Sequence, residues 1–113
     1  MALDRSAGGS GGIGVDLGVA LGDSDPAFRR AAAASVPAPV PSAMRGPLAA
    51  AVSKDTDADV ALTAAAALCA DLATDPRQPI LDALGGPGLD RIRSLVASKG
   101  PPAAIRDAKR CLR

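Results

Sequence analysis

Between Val60 and Leu72 the apolar side chains of Val60, Ala64, Ala67, Leu68 and Leu72 recur at three- and four-residue spacing, which sets them on one face of a helix. Asp55-Thr56-Asp57-Ala58-Asp59 precedes this stripe, and short carboxylates in that place bond the free N–H groups of a first helical turn. The same punctuation stands earlier. Asp23-Ser24-Asp25-Pro26 predicts a helix capped by Asp25, with proline at the first position, where its missing N–H is not needed. That helix runs through Phe28-Arg29-Arg30 and the alanines that follow. Val36-Pro37-Ala38-Pro39-Val40-Pro41 ends it, because alternating prolines impose extended backbone on themselves and their predecessors. A second helix, capped by Ser42, carries Met44, Leu48, Ala51 and Val52 on one face and ends near Lys54, with Gly46 and Pro47 disturbing its first turn. Past Asp75-Pro76, Ile80 to Leu84 form a short helix stopped by Gly85-Gly86. Leu89, Ile92, Leu95 and Val96 mark another, closed by Gly100, and Pro101-Pro102 open a last one with Ile105, Ala108 and Leu112 on one side.

Upstream the pattern fades. Ser6 to Gly14 (SAGGSGGIG) is too rich in glycine to hold a helix, each glycine costing about 1 kcal/mol relative to alanine. Residues 1–14 therefore read as a flexible lead-in and 15–113 as one helical domain, opening on a short, frayed helix between Ile13 and Leu21. At 113 residues a single modest core is all that the ratio of surface to volume allows. Alanine dominates the apolar share and Phe28 is the only aromatic, so leucine, isoleucine, valine and closely approached alanine must build that core. The 13 basic and 12 acidic side chains nearly cancel, which removes a bulk electrostatic case for nucleic acid or an anionic membrane. No stretch approaches the roughly 20 apolar residues of a membrane-spanning helix.

The two punctuated runs align without gaps, Asp23 to Ala34 against Asp55 to Ala66, so that the first acidic turn recurs where the second helix ends. A looser third copy is Pro102-Ala-Ala-Ile105-Arg106-Asp107-Ala108. Periods of roughly 20 to 50 residues with one helical hairpin per unit mark stacks in which each hairpin buries its stripe on its neighbours. At Asp25-Pro26, Phe28-Arg29 and Ala31 to Ala34, and again at Asp57, Val60 and the following alanines, the chain resembles the HEAT-repeat family. That family carries an acidic turn, a proline, a valine or isoleucine, an arginine and then an alanine-rich helix. The likeness extends over roughly Asp23 to Leu112. It departs at Ala61, where the second unit lacks the arginine, and at the proline connector inside the first. The resemblance implies an all-α fold, a short right-handed solenoid of about five helices in antiparallel hairpins, and a scaffold that binds protein.

Motifs for chemistry are sparse. Gly9-Ser10-Gly11-Gly12-Ile13-Gly14 satisfies a dinucleotide fingerprint in letters, but no strand precedes it. Asp55, Asp57 and Asp59 mimic the start of a calcium loop, yet Val60 and Ala66 replace its glycine and its bidentate glutamate, so capping is the plainer reading. Histidine is absent, which excludes imidazole bases, His-dependent triads and the usual zinc sites. Asp71 and Asp75, one helical turn from each other, lack aromatic walls to raise a pKa. The expectation is a chain without catalytic residues, cofactor or metal.

Two features have direction. Arg106, Lys109, Arg110 and Arg113, joined by Arg91, Arg93 and Lys99, make the last quarter basic; as a surface it suits an acidic partner, or else a solvated helix face. Protein is favoured over nucleic acid because stacking aromatics are missing, and polyanion binding is the alternative. Cys69 and Cys111 each read as a small buried hydrophobe, but if the first helices of successive repeats lie side by side, the pair comes within bridging distance. The expected partner is another protein or the remainder of a longer solenoid. The cytoplasm is the default compartment, the periplasm or the cell exterior if the cysteines are bridged.

Overall fold

The computed structural model describes residues 19–37, 40–70, 72, 77–98 and 100–112. The glycine-rich lead-in of residues 1–14 and its fingerprint-like glycines lie outside them, as do Asp71 and Asp75. Among the described residues five helical elements of eight residues or more follow one another: α1 (Pro26–Ala34), α2 (Ser42–Lys54), α3 (Ala58–Cys69), α4 (Arg77–Ala97) and α5 (Pro102–Lys109), closed by a 3-10 turn at Arg110–Leu112. Among the described residues there is no strand. The frayed helix expected before Leu21 is seen only at its end, where Val19 and Ala20 are helical and lead into a turn.

Local chemistry sets the starts of α1 and α3. Asp25 accepts from Ala27 N–H, with Pro26 next to it at the first helical position, and Asp57 accepts from both Asp59 and Val60 N–H. The second helix departs from expectation. Its N-cap is Pro41, without a side-chain cap bond, and Ser42 is already the first helical residue. The helix also passes through Pro47, where the missing N–H leaves the Ala43 carbonyl without its usual donor. Burial of Met44, Leu48 and Val52, all 0% exposed, compensates for that lost bond.

Residues 77–97 hold two helical stretches that meet at a kink at Gly85, where the sequence places the end of the first. Gly85 lies at φ 64° and ψ −175°, and helical backbone resumes at Gly86. Only glycine takes this conformation without a clash of Cβ against the backbone. Gly85→Ala is therefore expected to lower stability by about 1–2 kcal/mol. Gly86→Ala should be neutral or stabilising by up to about 1 kcal/mol, since a Cβ there meets nothing within 4 Å. Urea unfolding of the two variants checks the contrast.

The core gathers on α3, which lies against α1, α2, α4 and α5; α2 also packs on α4, and α4 on α5. Its fully buried side chains are Met44, Leu48, Val52, Val60, Leu68, Cys69, Ile80 and Ile92. Alanine permits this closeness: Ala61, Ala64 and Ala65 are all 0% exposed. The one aromatic stays outside, with Phe28 52% exposed.

Candidate functional site

The two acidic turns that align in sequence also have the same hydrogen bonding. Asp23 Oδ1 accepts from Asp25 N–H at 2.8 Å, and Asp55 Oδ1 accepts from Asp57 N–H at 2.9 Å; the second aspartate of each pair then caps its helix. Arg29 joins the two turns. Its Nε and Nη2 donate to the Asp55 carboxylate at 2.8 and 3.1 Å, and its Nη1 donates to the carbonyls of Asp23 and Ser24 at 2.8 and 3.1 Å. The side chains are 15% and 7% exposed, so this forked pair is shielded from screening by water. Burial pushes the Asp55 carboxyl up, but the Arg29 hydrogen bond, the Asp57 N–H and the charges of Arg29 and Arg91 outweigh it and hold the pKa below its ordinary value. Arg29 is raised in turn, first by its hydrogen bond to Asp55.

Sequence reading missed this pair. It noted Asp55 as part of a capping run and Arg29 as part of a repeat pattern. The available signal was the arginine missing from the second unit: Arg29 falls opposite Ala61, so its partner had to be sought across units.

The structure divides the basic residues by role. Arg91 Nη1 reaches the Val52 carbonyl at 3.5 Å in the last turn of α2, and Arg110 Nη1 donates to the Ala70 carbonyl at 2.6 Å just past α3. Both cations sit where a helix dipole ends negative. Arg93 pairs with Asp90 at 2.6 Å on the surface, and Arg106 and Arg110 flank Asp107 at 3.4 and 3.9 Å. Such exposed pairs contribute about 0–1 kcal/mol each. Lys109 is exposed, while Lys99 and Arg113 lie outside the described residues.

Cys69, at the end of α3, and Cys111, in the 3-10 turn after α5, form a disulfide with Cα atoms 5.5 Å apart. Arg110 to Ala70 and Arg77 to the Arg110 carbonyl at 3.1 Å knit the same corner.

Two shallow clefts share Gly22, Lys54 and Asp55. One, of about 320 Å³, adds Leu21, Pro47, Ala50 and Ala51; the other, of about 380 Å³, adds Asp23, Ser24, Arg29 and Thr56. Arg29 and Asp55, which line the second, satisfy each other. Of the calcium-loop mimic, Asp55 serves Arg29 and Asp57 caps α3, and Asp59 is exposed on the first turn. Among the described residues no group of three or more potential ligands is placed to hold a metal ion. Nor is any helix there long and apolar enough to cross a membrane. Against known proteins, no family model, no curated protein and no solved structure matches the chain.

Proposed function

We propose that this chain is a short HEAT-like solenoid without catalytic activity, which binds a partner protein through its exposed helix surfaces. The packing order carries the reading. The helix α1 lies on α3 and α3 on α5, while α2 lies on the kinked α4. A right-handed stack of hairpins has this order, because each new hairpin lays its first helix on the previous first and its second on the previous second. The matching acidic turns, and an arginine of one unit held by an aspartate of the next, support it further. The Cys69–Cys111 bridge supports an oxidising compartment, periplasmic or extracellular.

The rival, polyanion binding at the basic end, is weakened by the engagement of Arg91 and Arg110 with backbone carbonyls. The two readings separate on salt. Titrated with heparin or a short DNA duplex, the protein should show no binding tighter than about 10⁻⁴ M even at low ionic strength. Affinity that falls steeply with added salt and drops on Arg106→Ala with Lys109→Ala would replace the scaffold reading with the rival.

A further inference from the structure

We propose that the outward face of α1, centred on Phe28, docks a further alanine-rich helical unit that supplies an arginine to Asp23; the proposal rests on the repeat reading above. The interface exists once already inside the chain, where α1 packs on α3 and Arg29 reaches across to Asp55. Shifted back by one repeat, that relation puts Phe28 in the place of Val60 and Asp23 in that of Asp55.

The shifted positions have the chemistry of a contact without its cover. Val60 is 0% exposed, whereas Phe28 is 52% exposed. Ala27, Ala31 and Ala34 continue the uncovered apolar surface along α1. The Asp55 carboxylate takes three hydrogen bonds, from Arg29 Nε, Arg29 Nη2 and Asp57 N–H. Among the described residues the Asp23 carboxylate takes one, from Asp25 N–H, and lacks the guanidinium fork.

The opposite end of the stack differs. There α5 exposes Arg106 and Lys109. A second copy stacked head to tail would press those cations against Arg30, so α1 suits a different occupant. That occupant is a helix with small residues opposite Phe28 and an arginine in its first turns, placed as Arg29 is in α1, to fork onto Asp23.

The test is a variant in which residues 1–22 are replaced by a second copy of residues 23–54, so that the added unit brings its own small-residue helix and arginine. Its melting temperature should exceed that of the natural chain by on the order of 10 °C, with added helix signal at 222 nm. In the original unit F28D should abolish most of the gain and D23N part of it, whereas F28D in the natural chain shifts the melt by no more than about 4 °C. No gain, or a gain that neither substitution reduces, overturns the proposal. Dimerisation of the natural chain in sedimentation, abolished by F28D, overturns it in favour of a second copy. Failure of the scaffold reading itself is read elsewhere, as salt-sensitive polyanion binding at Arg106 and Lys109, which neither F28D nor D23N alters.

Discussion

Reducing the Cys69–Cys111 bridge should lower the melting temperature by roughly 15–30 °C. The cysteines stand 42 residues apart, and in the chain-entropy model a cross-link over that span destabilises the unfolded state by about 4 kcal/mol. A domain of this size shifts by about 4–8 °C for each kcal/mol. Position adds to the effect: the bridge ties the turn after α5 to the helix that every other helix touches. Without it, α5 is held mainly by Ala108, which is buried, and by the half-buried Ala104 and Ile105. Melts at 222 nm of the oxidised protein, the reduced protein and the C69A/C111A double variant check this, and the last two should agree within a few degrees. An unchanged melt on reduction would mean that side-chain packing alone holds α5. Hydrogen exchange should place the loss first in α5 and the 3-10 turn.

Asp55→Asn should cost on the order of 2 kcal/mol, because it leaves a shielded guanidinium facing a neutral amide. It should also change the acid limb of stability. The folded-state pKa of Asp55 lies below its unfolded value, so between the two the unfolded chain binds more protons and stability rises with pH. The contribution is complete above the ordinary carboxylate range, about pH 4–5, and is lost as pH falls through the depressed value. Melting temperatures from pH 7 down to pH 2 should therefore converge for the natural chain and D55N. A constant gap across that range would show that the destabilisation comes from lost packing and not from the ionised carboxylate.

Features settled within one helical turn were legible in the sequence. Asp25 and Asp57 cap because their carboxylates meet N–H groups two or three residues on, and those neighbours are present in any fold that makes the helix. The stripe of α3 is buried because spacing alone puts Val60, Ala64 and Leu68 on one face. Ser42 was misread as a cap because proline before it already fixes the turn into the helix, with Met44 N–H bonded to the Pro41 carbonyl. Charge counting along the chain does not show which carbonyls lie near the basic residues. Arg91 meets the end of α2 and Arg110 the end of α3, across 39 and 40 residues.

By itself, then, the sequence determined an all-helical chain, its punctuation by aspartate and proline, the recurrence of the Asp23 turn at Asp55 and a thin core of alanine and branched aliphatics. These follow from propensity, capping and periodicity, all of which act between near neighbours. Only the tertiary structure decided that Cys69 and Cys111 are joined, that Arg29 belongs to Asp55, and that Phe28 is left exposed. Each of these depends on which helices lie side by side, and that is set by how all five stripes are buried together.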